Sequence, residues 1–221
     1  MRLDIKHHLD PATLMAYSAG TLGEALSAVA SAHIEMCPQC RKEMRGLDMV
    51  GAMMLEALRV NADAAMMRPA SIASAGMVVA LPLRDQARAA PTDMDTPANF
   101  ARRIGVDLAS VAWRRLGPGV WHHRIKLSPG VQGDLRLLKI AAGKRMPMHG
   151  HGGTELTLVL DGAYHDESGC YRGGDVQDID GDEEHLPIAD EKLGCICVVA
   201  SERPARYKNI VNRLLQPLTG I

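Results

Sequence analysis

The sequence predicts two domains of different class, an all-α helical bundle followed by an all-β barrel. Three observations predict it. Apolar residues recur at spacings of three and four up to about Asn61, the period of amphipathic helices. Residues 62–99 lose that pattern and are rich in Ala, Met, Ser and Pro, with Pro69, Pro82, Pro91 and Pro97 among them. After Phe100 the chain becomes a series of short β-type runs split by Gly and Pro, the texture of a sandwich or barrel. The boundaries that follow are residues 1–85 for the helical domain, 86–103 for a linker and 104–221 for the barrel.

Each helix carries its own start signal. Asp10-Pro11 pairs an N-cap with a proline at the first turn, and Gly20 offers a stop. Thr21-Leu22-Gly23-Glu24 has the form of a capping box, with Thr at the cap. Leu22, Leu26, Val29, Ala30, His33 and Cys37 then line one face of a second helix. Pro38 breaks it and opens a third, whose apolar positions Met44, Leu47, Val50, Met54, Leu55 and Leu58 run to about Asn61. A fourth helix is expected near residues 72–81. In the second domain, residues 120–127, 135–141, 154–160 and 195–200 read as strands, with Ser128-Pro129-Gly130 as a turn and Gly162, Gly169, Gly173, Gly174 and Gly181 as punctuation.

Composition narrows the function classes. Of 221 residues, 47% are apolar and the formal net charge is -1, so there is no basic face of the kind direct nucleic-acid binders show. The 5 cysteines are odd in number and unevenly placed, unlike a secreted disulfide framework. The N-terminal residues lack an apolar signal-peptide core, and no run is long enough for a membrane span. The expected compartment is the cytoplasm, where cysteine clusters bind metals or do chemistry.

Two clusters stand out. His33-x-x-x-Cys37-x-x-Cys40 places an imidazole and a thiol one helical turn apart on one face, and Cys40 follows across the Pro38 turn. Zinc favours such a tetrahedral set. A fourth ligand would close a structural site, and His7 and His8 are both candidates; either would fasten the chain start to the second helix. A Cys-x-x-Cys pair also serves as a redox dithiol, but the histidine four residues earlier and the nearby His-His favour metal.

The second cluster lies within residues 143–162. His149 and His151 alternate on a strand and so face one side. Glu155 returns to that side if the Gly152-Gly153 turn keeps register. His185, in Gly181-Asp182-Glu183-Glu184-His185, is a fourth candidate. Two histidines, a carboxylate and a further histidine suit zinc, iron, manganese or nickel.

His33-Ile34-Glu35-Met36-Cys37-Pro38-Gln39-Cys40 matches the H-x-x-x-C-x-x-C signature of zinc-containing anti-sigma factors, and residues 143–162 match the first cupin motif. Together, and in this order, they resemble the ChrR family of anti-sigma factors over nearly the whole chain. The resemblance implies a helical bundle with a structural zinc and a cupin-like β-barrel. It implies that the zinc is held by His8, His33, Cys37 and Cys40, because the family's N-terminal ligand lies at the position of His8. It also implies a second zinc or another divalent metal on His149, His151, Glu155 and His185. The second cupin motif departs from the family pattern, lacking its Pro and carrying Ala189 in place of Asn.

The resemblance further implies a partner, an extracytoplasmic-function sigma factor bound one to one. The helical domain would block it from core RNA polymerase until a singlet-oxygen or peroxide signal acts on the barrel. Leu14, Tyr17, Met53 and Met54 offer an amphipathic face for such contacts, although helical periodicity reads most of them as core. The competing reading is a metal-dependent cupin enzyme such as a dioxygenase, whose metal keeps open positions for substrate. A zinc-tied helical domain has no evident use there. Cys195 and Cys197 share a strand face and read as small core residues rather than a responsive pair. Cys170 is expected exposed in a turn. His122 and His123 point opposite ways on a strand and cannot easily share an ion.

Overall fold

The computed structural model describes residues 3–64, 108, 110–150, 152–181 and 183–203. The helix expected near residues 72–81, the linker 86–103 and the candidate ligand His151 lie outside the described residues.

Among the described residues three helices come first: α1 (Pro11–Ser18), α2 (Glu24–Met36) and α3 (Pro38–Ala64). Asp10 caps α1, its carboxylate accepting from the Ala12 amide at 2.8 Å. The expected capping box at Thr21 does not form. Gly23 is the N-cap of α2 without a side-chain bond, and the Thr21 hydroxyl donates to the Ala16 carbonyl at the end of α1. Glu24 accepts from the Ser128 amide at 3.0 Å. The carboxylate that would have reached back to the cap thus ties α2 to the β region. The Cys37-Pro38 break separates α2 from α3 as the sequence predicts.

Among the described residues ten strands follow: β1 (Arg114–Gly117), β2 (Val120–Arg124), β3 (Asp134–Ile140), β4 (His149–Gly150), β5 (Glu155–His165), β6 (Cys170–Arg172), β7 (Val176–Ile179), β8 (Glu184–His185), β9 (Ile188–Ala189) and β10 (Cys195–Ser201). The main sheet runs β1-β2-β3-β10-β5, all antiparallel. Strand β5 serves two sets of neighbours because it turns at Gly162. Before the turn it pairs with β7, and after it with β6 and β9. Gly162 has φ 71°, and a Cβ there would fall 2.1 Å from the Gly194 carbonyl oxygen, so only glycine fits. A separate two-stranded ribbon joins β4 to β8.

The central strands are buried on both faces, which explains their nearly unbroken apolar runs. On one face Leu135, Leu137, Leu156, Leu158 and Val198 join Leu26, Val29 and Ala30 of α2 in a single cluster. On the other face Leu138, Ile140, Val159, Tyr164 and Cys197 form the inner cluster. The helical segment therefore does not rely on a core of its own. It borrows the outer face of the sheet, and α2 is the helix laid across it.

The N-terminal arm, residues 3–10, crosses the β6–β7 turn. Asp175, 2% exposed, accepts from the amides of Lys6 and His7 at 2.7 and 3.1 Å and from that of Arg172 at 2.9 Å. His7 lies against Tyr171, ring centroids 4.2 Å apart.

Candidate metal centres

The end of α2, the start of α3 and the N-terminal arm bring His8, His33, Cys37 and Cys40 together, with one ligand atom of each within 4.8 Å of all the others. Cys37 Sγ lies 3.2 Å from His8 Nδ1, and Cys40 Sγ lies 3.3 Å from His33 Nε2. A tetrahedral zinc with its usual bond lengths would hold such atoms roughly 3.3–3.8 Å apart, so the four side chains fit the ion with little adjustment. His7, the other candidate, instead turns its Nε2 toward the Cys170 carbonyl at 3.1 Å.

The electrostatics agree with the geometry. Burial lowers the His33 pKa to about 4, against a weaker upward pull from the Gly174 carbonyl. Its ring is therefore neutral at physiological pH. The Gly174 carbonyl, 3.0 Å from Nδ1, can only accept, so Nδ1 carries the hydrogen and Nε2 presents its lone pair to the cluster. Burial likewise pushes the Cys40 thiol up to about 12. A bare thiolate is disfavoured there, and a cation is what would make it the stable form.

The second cluster forms across strands. His149 on β4 is the direct antiparallel partner of His185 on β8, and Glu155 opens β5 beside them. Their ligand atoms lie within 4.8 Å of one another, and the two Nε2 atoms are 3.2 Å apart. Each ring donates its Nδ1 hydrogen outward, His149 to the Pro147 carbonyl at 2.8 Å and His185 to Asp166 Oδ2 at 3.1 Å. Both Nε2 atoms therefore face the same point, a geometry relieved by a shared cation. Burial and the neighbouring His185 lower the His149 pKa to about 4. Burial raises the Glu155 carboxyl to about 7, outweighing His185 and the Thr157 hydroxyl. The three residues line a cavity of about 410 Å³ together with Arg136, Tyr164 and Gln177.

Asp166 is the residue sequence reasoning missed. Its side chain is fully buried. Burial favours its neutral form, but hydrogen bonds from His185, Ser168 and Gln177 outweigh that and hold the carboxyl well below the usual range. The carboxylate orients His185 as outer-shell carboxylates orient metal-bound histidines. Its position four residues after Gly162 gave no motif signal. Of the remaining candidates, Cys195 and Cys197 are buried thiols on the inner face, as expected, and Cys170 is exposed. His122 pairs in register with inward-facing Leu138 and His123 with Leu137 of the opposite face, so the two rings do diverge.

The apolar face of α3 departs from expectation. Leu14 is core and 1% exposed, whereas Met53 and Met54 are 70% and 64% exposed. Met49, Val50, Leu55 and Leu58 are exposed with them. Among the described residues no helix is long and apolar enough to cross a membrane.

Comparison with known proteins places the chain. Residues 101–204 match the family described as the ChrR cupin-like domain. The chain is 39% identical over 219 residues to the anti-sigma-E factor ChrR of Cereibacter sphaeroides, covering 99% of this chain and all of that one. The fold is also similar to a chain in the crystal structure of Rhodobacter sphaeroides SigE in complex with the anti-sigma ChrR. That match has a TM-score of 0.66 and 36% identity, covering 89% of this chain and 99% of the other. A zinc-type cluster on the helices, a cupin-like sheet behind it and full-length identity all converge: the chain belongs to the ChrR family of anti-sigma factors.

Proposed function

We propose that this protein works in the cytoplasm, where residues 1–85 bind one extracytoplasmic-function sigma factor and keep it from core RNA polymerase. The observation that carries the reading is the outer half of α3. Helix α3 is 27 residues long, about 40 Å, and among its described side chains Met44 and Leu47 are the last hydrophobic ones packed against the shared core. Beyond them Met49, Val50, Met53, Met54, Leu55 and Leu58 are all more than half exposed. A patch of this kind marks a protein-interaction surface, and flexible methionines suit a helix face that must fit a partner's groove.

His8, His33, Cys37 and Cys40 would hold a structural zinc, which supplies a cross-link between the arm and the two helices. His149, Glu155 and His185, with His151 added on sequence spacing, would hold a second divalent metal, zinc or another. That site opens on a cavity and is the element of the reading that receives a stress signal of the singlet-oxygen or peroxide type.

The test is co-purification of the full chain with its cognate sigma factor, followed by affinity measurement on purified components. Met53→Asp and Leu58→Asp together should weaken the complex at least ~30-fold, since central apolar anchors contribute on the order of 2 kcal/mol or more. Undiminished binding by a correctly folded double variant would move the contact off α3. Absence of any sigma complex would remove the functional reading itself.

A further inference from the structure

A chain of polar contacts leads from the barrel cluster to the N-terminal arm. It starts at His185, whose Nδ1 donates to Asp166 Oδ2 at 3.1 Å. The other oxygen of that carboxylate, Oδ1, accepts from the Ser168 hydroxyl at 2.6 Å. A carboxylate can only accept, so the single hydroxyl hydrogen of Ser168 is committed there. The 2.8 Å contact between the Ser168 and Tyr171 hydroxyls therefore has Tyr171 as its donor. Gln177 braces the junction. Its amide nitrogen donates to Asp166 Oδ2 at 2.6 Å and to Ser168 Oγ at 2.9 Å, while its carbonyl oxygen accepts from the Tyr164 hydroxyl at 2.8 Å. The Tyr171 ring carries the chain on to the arm. It is 5% exposed, with the Tyr164 ring stacked on it at 4.9 Å and the His7 ring at 4.2 Å. His7 is held firmly in turn: its amide donates to Asp175, its carbonyl accepts from the Val176 amide, and its Nε2 donates to the Cys170 carbonyl. The next residue is His8, whose Nδ1 lies 3.2 Å from Cys37 Sγ.

We infer that the two clusters are thermodynamically linked through this chain: a divalent cation on His149, Glu155 and His185 tightens metal binding at His8, His33, Cys37 and Cys40, with Ser168, Tyr171 and His7 as the positioning residues between them. The inference rests on the reading of both clusters as metal sites. Its sign follows from the direction of the bonds. With Nε2 coordinated, the His185 ring is a stronger Nδ1 donor to Asp166, and bonds in a buried network strengthen one another. A better-held Asp166 fixes Ser168, Ser168 fixes the Tyr171 hydroxyl, and Tyr171 holds His7 beside the ligand position of His8. Order that one site has already imposed on the arm is not demanded again by the other, which makes the coupling positive. By linkage it is also reciprocal. Contiguous networks of this kind can carry coupling between sites, and a double-mutant cycle is what establishes it.

The experiment is cobalt(II) titration of the metal-stripped full-length protein against a competing chelator. Thiolate-to-cobalt charge transfer reports the helical cluster, because the barrel cluster contains no cysteine. The same titration is run on His149→Gln with Glu155→Gln, polar replacements that disable the barrel cluster at positions lining the cavity. The helical cluster should bind cobalt about fivefold or more weaker in that variant. Tyr171→Phe keeps the ring between Tyr164 and His7 but removes the donor to Ser168. It should weaken the helical cluster in the otherwise native chain and add little once the barrel cluster is disabled, and Ser168→Ala should behave likewise. Glu24→Gln, which loosens α2 from the Ser128 amide away from this chain, should leave the difference intact. Equal affinity with the barrel cluster working or disabled would overturn the coupling while leaving both metal sites standing. So would a difference that survives both Tyr171→Phe and Ser168→Ala in folded protein, or one that Glu24→Gln abolishes equally. No cobalt at one of the clusters would overturn the metal reading and the coupling with it.

Discussion

The two metal-type clusters differ in what surrounds them. The helical one is closed: four side chains converge, three of them buried, the full tetrahedral set that structural zinc sites use. The barrel cluster joins three described side chains at the edge of a cavity, the arrangement that keeps a position open to exchange. The ligand chemistry differs in the same sense. Two thiols make the helical cluster a soft, tight trap, whereas imidazoles and a carboxylate accept several divalent ions. The four-residue cluster sits where the helices meet, and the other sits at a cavity inside the sheet.

That contrast can be broken most forcefully at the helical cluster. Cys37→Ser with Cys40→Ser should remove one zinc equivalent by elemental analysis. Structural zinc contributes on the order of 10 kcal/mol to folding in small domains, so the helical circular-dichroism melt should lose cooperativity. Unchanged zinc content would show that this cluster is not a metal site. The barrel cluster should respond more mildly to loss of its outer support. Asp166→Asn keeps the ligands but weakens the hold on His185, and should lower metal affinity there about 10–100-fold. Calorimetric titration of metal-stripped protein would read it, and an unaltered affinity would deny Asp166 its orienting role.

The smallest effect concerns pH. Glu155 titrates near 7 in the metal-free fold, so a metal must displace its proton. His149, lowered to about 4, is already neutral and adds no competition in that range. Affinity at the barrel site should therefore fall about tenfold per unit as pH drops below 7, one proton being displaced per ion. Glu155→Gln should flatten that profile. A slope that survives the substitution would assign the proton elsewhere.

How much of this was legible in the sequence depends on distance along the chain. The His33–Cys37–Cys40 spacing, the Pro38 break and the strands at residues 135–141 and 195–200 are local patterns, and they were readable. His185 was readable because the cupin resemblance adds it, in Gly181-Asp182-Glu183-Glu184-His185, to the ligand set. Asp166 was not, because its meaning comes from strands that meet only in the fold. The Thr21 capping box failed because Glu24 found a tertiary partner in the Ser128 amide. The outer face of α3 was read mostly as core because helical periodicity reports an apolar stripe, not whether the same chain covers it. Family resemblance gave His8 over His7, and the structure shows why they part: His8 turns to Cys37 while His7 lies on Tyr171.

The β6–β7 turn has a consequence beyond tying down the arm. Asp175 holds the backbone at His7, one residue from His8, and the Gly174 carbonyl holds the ring of His33. Two of the four candidate zinc ligands thus lie within reach of two adjacent residues of one turn, His8 through the neighbouring His7 amide and His33 through its ring. The same turn adjoins Tyr171, which stacks on Tyr164 of the cavity wall at 4.9 Å. The helical cluster in effect hangs from a bracket bolted to the barrel: a displacement of that bracket reaches His8 through the arm and the His33 ring through its Nδ1 hydrogen bond.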